Sequence, residues 1–175
     1  MAVPHKGEHL DPDLAAHFTV IKHRGLCVFG TPIDVMFADV PRECYVDSIV
    51  KDSEDSFKNI QERTSDEKCV VPNYAVLNFC RVIAFLDQGV ITSKMEGGAW
   101  ALSHLPKQYH AVIRAAMKEY GQPGSSQRVE GHEVKQFATF SQSTIQQRLS
   151  KEPPSPHFIG HPTKTIPSPE RNLTQ

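Results

Sequence analysis

The sequence predicts an all-α protein, a compact helical bundle followed by a disordered C-terminal tail. Two observations predict the bundle: apolar residues recur at helical spacing along most of the 175 residues, and residues suited to starting and stopping helices separate those runs. A third concerns what is missing, since no two alternating apolar runs are joined in a way that makes strand pairing convincing. Residues 1–10 read as a loose lead-in, 11–148 as the folded domain and 149–175 as the tail.

The first helix opens at Asp11, which can cap, with Pro12 at its first position and Asp13 in its first turn, where a negative charge favours the helix dipole. Leu14, Phe18 and Ile21 share a face, and Gly25 is a stop. The short apolar run Leu26–Gly30 reads as either a stub strand or a buried linker. Thr31 as cap and Pro32 in the first turn then open a second, short helix. A longer helix starts at Pro41 and runs to about Ile60. Tyr45, Ile49 and Phe57 mark its buried side, with Val46 and Val50 flanking, and Asp47, Asp52, Glu54 and Asp55 make the rest acidic.

After the polar loop "QERTSDEK" the chain enters a helix near Asn73 that is apolar on almost all sides, from Tyr74 through Phe79 and Phe85 to Leu86. All-round apolar character predicts the central, buried helix, and Gly89 ends it. Ser93 with Glu96 three residues on forms a capping-box pattern, and Pro106 follows that helix's end near His104. Tyr109, Val112, Ile113, Ala116 and Tyr120 line one face of the next helix. "GQPGSS" breaks it, and Val134, Phe137, Phe140 and Ile145 allow a last one. From Leu149 the chain is rich in Pro and Ser without periodicity, which predicts a disordered, dispensable tail.

Composition narrows the function. The formal net charge is −1 and the pI about 6.7, whereas a nucleic-acid binder usually carries a basic domain or stripe. No apolar run approaches the roughly 18 residues of a membrane span, and the N-terminus lacks the apolar core of a secretory signal, so a cytoplasmic location is expected. Cys27, Cys44, Cys69 and Cys80 have no ligand or C-x-x-C spacing and read as reduced thiols. No metal site is expected.

Charged residues in apolar settings mark the candidate chemistry. Arg81 sits in the most apolar helix, one turn after Asn78. A buried guanidinium needs a partner, so Arg81 either pairs with an acid such as Asp52 or Asp55 or faces a wet cleft. Lys94 lies at a helix start, where free amide protons attract anions; it can equally be an ordinary exposed lysine. Gly97 and Gly98 follow, at a cost of about 1 kcal/mol each against alanine, which suggests close approach of a neighbouring helix or a ligand. Trp100 reads as a core anchor. Tyr120 either stacks on a ligand or plugs the core. Asp47, Asp52, Glu54, Asp55, Asp66 and Glu67 form either a solvated face or a surface for a polycation.

Taken together, "DPDLAAHFTVIKHRGLCVFGTPID", "LNFCR", "LDQGVITSKMEGGAWALSHLP" and Tyr120 resemble the helical C-terminal domain of the aminoglycoside adenylyltransferases that act on streptomycin and spectinomycin, over roughly residues 10–148. In that family an N-terminal nucleotidyltransferase domain binds ATP and magnesium and transfers AMP to a drug hydroxyl. The resemblance implies that Arg81 and Lys94 hold the ATP phosphates, that Tyr120 packs on the nucleotide, and that Asp66 and Glu67 are the nearest matches to the drug-binding acids. No glycine-serine turn followed by a paired-aspartate strand occurs in this sequence. Catalytic residues and magnesium ligands are therefore expected from a separate nucleotidyltransferase domain, and this polypeptide alone is not expected to transfer AMP. The alternative is a non-catalytic binding or partner module derived from the same family.

Overall fold

The computed structural model describes residues 13–151. The lead-in and the tail from residue 152 onward lie outside the described residues. Seven α-helices dominate the described part: α1 Asp13–Arg24, α2 Ile33–Met36, α3 Arg42–Arg63, α4 Asn73–Gln88, α5 Lys94–His104, α6 His110–Gly121 and α7 Gly131–Leu149. The all-α expectation holds, and Leu149 closes the last helix.

The core is built around α4, which packs against α3, α5, α6 and α7. Val76, Leu77, Phe79, Cys80, Val82, Ile83, Ala84 and Phe85 are all buried. Burying each large apolar side chain contributes roughly 1.5–3 kcal/mol, so this helix organises the domain as its pattern predicts. Phe79 meets Phe137 of α7 edge to face at 6.2 Å, and Tyr45 of α3 meets Phe85 at 4.7 Å. Gly89 ends α4 in the left-handed conformation, at φ 68°, which glycine adopts without a side-chain clash. The exception is Tyr74, grouped by the sequence with the buried residues but 56% exposed, because it lies on the face of α4 that carries Lys94 over its ring, whereas Val76 in the same turn points into the core.

The Ser93 capping box is present, with the Ser93 side chain accepting from the Glu96 amide and the Glu96 carboxylate accepting from the Ser93 amide. The two glycines of α5 allow close packing. A Cβ on Gly97 would lie 2.7 Å from Arg81 Cγ, and one on Gly98 would lie 2.8 Å from Met117 Cγ. Trp100 is half-buried and stacks on His104 at 4.4 Å.

Four sequence expectations need correction. The helix α3 runs to Arg63 rather than Ile60, because Gln61 is tied to α7 by bonds to Thr139 Oγ1 and the Lys135 carbonyl. Pro32, not Thr31, occupies the N-cap of α2, and no side chain caps it. A two-stranded antiparallel ribbon exists, β1 Lys68–Val70 with β2 Arg128–Glu130, pairing Cys69 with Val129. Strands of three residues, far apart in sequence, carry too little pattern to be read. Finally, Leu26–Gly30 is neither strand nor buried linker. It is irregular, and Leu26, Val28 and Phe29 are 77%, 90% and 99% exposed. Among the described residues no helix is long and apolar enough to cross a membrane.

Candidate functional site

Tyr74, Asn78 and Arg81 lie on one face of α4, spaced so that successive turns bring them into line. Two neighbouring elements flank this stripe. From α3, Asp52 Oδ2 accepts a 2.9 Å hydrogen bond from Asn78 Nδ2. From the other side, the turn into α5 supplies the Thr92 carbonyl, which accepts from Arg81 Nε at 2.8 Å. The first residue of α5, Lys94, holds its ammonium 3.9 Å from the centre of the Tyr74 ring and 5.9 Å from that of Tyr120, at the end of α6. Gly97 makes the assembly possible, since any side chain there would strike the stem of Arg81.

The electrostatics follow from this packing. Burial lowers the Lys94 pKa, and neighbouring Arg81 lowers it further, against the attraction of Asp52. Burial raises the Asp52 pKa, Asp13 and Asp55 add to the rise, and Lys94 and Arg81 oppose it. Opposite charges face one another across the stripe, yet desolvation is the larger effect on both. Among the described residues, no carboxylate reaches ion-pair distance of Arg81 or Lys94. Asp55 pairs with Lys51, leaving Arg81 without the ion pair that one sequence reading offered. Two half-buried cations thus stand near each other beside the exposed rings of Tyr74 and Tyr120, a receptive arrangement for an anion carrying an apolar ring.

The structure brings Arg81, Lys94 and Tyr120 together. It places Asp66 and Glu67 at the ribbon, where their backbone carbonyls accept from His132 and Gly131 at the start of α7. The Asp66 carboxylate pairs with Lys135 at 2.7 Å, and this bond holds its pKa down. Sequence reasoning missed Tyr74 as a site residue and did not separate Asp52 from the other acids. The signal for Tyr74 was its spacing, one turn before Asn78. Next to Tyr120, Glu119 accepts from the Gly124 amide, the Ser125 hydroxyl and the Gln127 amide, and so fixes the loop that follows the site. A surface groove of about 590 Å³ lies elsewhere, between the turn at Gln108–Tyr109 and Lys135, Thr139 and Phe140 of α7. Its cation, Lys135, already has a partner, so the pair of cations beside the stripe is the better candidate. Among the described residues no group of three or more His, Cys, Asp or Glu could hold a metal ion.

A family model described as "Aminoglycoside adenylyltransferase, C-terminal domain" matches residues 35–144. The chain belongs to this family. The matched residues run from the end of α2 into α7 and therefore contain the whole Tyr74–Asn78–Arg81 stripe, Asp52, Lys94 and Tyr120. No curated protein sequence matches the chain. Among solved structures, the adenylyltransferase-type domain is similar to the crystal structure of spectinomycin adenyltransferase AAD(9) from Enterococcus faecialis with ATP and spectinomycin. The TM-score is 0.61 and the identity 19%, covering 78% of this chain and 51% of that one. The likeness is one of fold, and the chain spans about half the length of that relative.

Proposed function

We propose that this chain is the nucleotide- and drug-binding helical part of an aminoglycoside adenylyltransferase, which acts with a nucleotidyltransferase domain to move AMP from ATP to an aminoglycoside hydroxyl. What supports the reading is that Lys94 stands 5.9 Å from the centre of the Tyr120 ring, and that Arg81 is bonded to Thr92, two residues before Lys94, in a domain of this family. In this reading Arg81 and Lys94 bind the polyphosphate, with the Lys94 ammonium 3.9 Å from the centre of the Tyr74 ring and 5.9 Å from that of Tyr120. Tyr120, 42% exposed, offers its face to the nucleotide. The reaction belongs in the cytoplasm, where ATP is available.

Magnesium, when bound to such an enzyme, neutralises charge on the phosphates. The residues here do not fit it: among the described residues no group of three or more His, Cys, Asp or Glu could hold a metal ion, and beside Arg81 and Lys94 the stripe offers the single carboxylate of Asp52. We read the metal and the general base as supplied by the nucleotidyltransferase domain, as the family resemblance implies. The exposed apolar segment Leu26–Phe29 supports such a partner, since a soluble domain rarely leaves so much contiguous apolar surface uncovered.

Calorimetric titration of the chain with ATP tests the reading. Binding is expected to weaken as salt rises from low to physiological, because exposed phosphate contacts are screened. Lys94→Ala is expected to lose about tenfold in affinity while keeping its thermal midpoint. ATP affinity equal in Lys94→Ala and wild type would overturn it.

A further inference from the structure

The two rings beside Lys94 both come from helix ends. Tyr74 is the second residue of α4, whose N-cap Pro72 supplies no side-chain bond. Tyr120 is the second-last residue of α6, followed by Gly121 and the loop 122–127. Helix ends fray unless their free backbone groups are held, and here one carboxylate holds both. Glu119, 9% exposed, accepts from the Gly124 amide at 3.1 Å, the Ser125 hydroxyl at 2.7 Å and the Gln127 amide at 2.9 Å. The Gln127 carbonyl accepts in turn from the Val71 amide at 2.9 Å, and the Val71 carbonyl from the Asn73 amide at 2.8 Å. Val71 is itself buried, and Asn73 opens α4. A continuous chain of bonds thus runs from the residue before Tyr120 to the residue before Tyr74.

The loop does not favour this shape by itself, because Ser126 lies in the left-handed region at φ 51°, where a side chain is unfavourable. Bonds from the Gln127 amide and the Ser125 hydroxyl hold the Glu119 pKa below the ordinary carboxylate value. An ionised carboxylate is what converging donors require, since it only accepts. Among the described residues no lysine or arginine pairs with Glu119, so its bonds go to the loop. We propose that Glu119 is a positioning residue: through Gln127 and Val71 it fixes the end of α6 against the start of α4, and so keeps the Tyr74 and Tyr120 rings in place beside Lys94 for the nucleotide. This rests on the adenylyltransferase reading and deepens it. Without the bridge, Tyr120 moves with the last turn of α6 and Tyr74 with the first turn of α4. The nucleotide must then order both rings as it binds, a cost that preorganisation removes.

Three variants of the full chain test the bridge. Glu119→Gln keeps the shape of the side chain but places a donor among donors, so at least one bond is lost. Ser125→Ala removes one bond at a partly exposed loop position and carries the test if Glu119→Gln does not fold. Gln61→Ala removes ties between α3 and α7, touches none of the bridge, and controls for a general loss of stability. The first readout is the proton resonance of the Lys94 ε-methylene, assigned with Lys94→Arg. Lys94 Nζ lies 3.9 Å from the centre of the Tyr74 ring, so the ring's magnetic anisotropy shifts that resonance from its position in an exposed lysine. It is expected to move back towards that position in Glu119→Gln, by a smaller step in Ser125→Ala, and not at all in Gln61→Ala. The second readout is calorimetric ATP affinity, expected to fall about three- to tenfold in Glu119→Gln and to hold in Gln61→Ala. A resonance unmoved in both Glu119→Gln and Ser125→Ala would overturn the bridge, as would an equal movement in Gln61→Ala, which would indicate general loosening. A moved resonance with unchanged ATP affinity would overturn the positioning role while leaving the nucleotide reading intact. A moved resonance in a chain whose wild type takes no ATP would refute the nucleotide reading and leave Glu119 as the residue that holds the two rings.

Discussion

Gly97 and Gly98 are neighbours in sequence but meet different obstacles. A methyl group on Gly97 would press on Arg81 Cγ at 2.7 Å and on Arg81 backbone atoms at 3.2 and 3.3 Å, while one on Gly98 would meet only the side chains of Met117 and Leu77. Backbone cannot move aside, whereas the flexible Met117 can. Overpacking costs roughly 1–3 kcal/mol, against a helix-propensity gain of about 1 kcal/mol from replacing glycine. Gly97→Ala is therefore expected to lower stability by up to about 2 kcal/mol, and Gly98→Ala by less, in urea unfolding monitored by circular dichroism. Gly97→Ala should also weaken ATP binding, because it displaces the stem of Arg81. The reverse order of stabilities would show that α5 can slide away from α4. The sequence announced a close approach at these glycines. It could not say that the approaching group was the stem of the candidate phosphate-binding arginine, since that depends on how far one helix is rotated against another.

At the scale of the element, the start of α5 joins stability to the site. Glu96 closes the capping box with Ser93 and also accepts two bonds from Arg24 Nη2, at 2.8 and 3.0 Å. Bonds from the Ser93 amide and from Arg24 hold its pKa down to about 2, from an ordinary value of 4.5. A carboxylate whose pKa is lower folded than unfolded stabilises the fold above its unfolded pKa, and that contribution is lost as pH falls towards the folded value. Glu96→Gln is accordingly expected to cost about 1 kcal/mol near neutral pH, in line with the loss of a capping interaction. The gap between the two proteins should be complete above about pH 4.5 and close as pH falls towards about 2. Thermal melts across that range read it directly, and a gap independent of pH would show that the charge contributes nothing. The Ser93–Glu96 pattern was legible because a capping box is local, contained in four residues. The Arg24 contact was not, as it links the first helix to the fifth.

Across the whole molecule, burial rather than residue type decides the cost of a change. Phe137 is fully buried and meets Phe79 and Tyr109, while Phe29 is 99% exposed. Phe137→Ala is expected to lose about 3–5 kcal/mol, including the cavity left behind, and Phe29→Ala to stay within about 0.5 kcal/mol. Chemical denaturation of the two variants checks the contrast, and a large loss in Phe29→Ala would mean that the Leu26–Gly30 segment is covered in solution. The helices of the bundle and the dominance of α4 were determined by the sequence itself, because helical periodicity, caps and glycine stops act over a few residues and need no partner. So was the presence of Arg81 on an apolar helix, a conflict visible without any fold. Tertiary structure alone decided that Tyr74 faces out over Lys94, that Asp52 and not Asp66 flanks the stripe, and that β1 pairs with β2. It also decided that Leu26–Phe29 stays uncovered. Each of these depends on contacts between residues distant along the chain, and such contacts are set by how helices are rotated and packed, which no local pattern encodes.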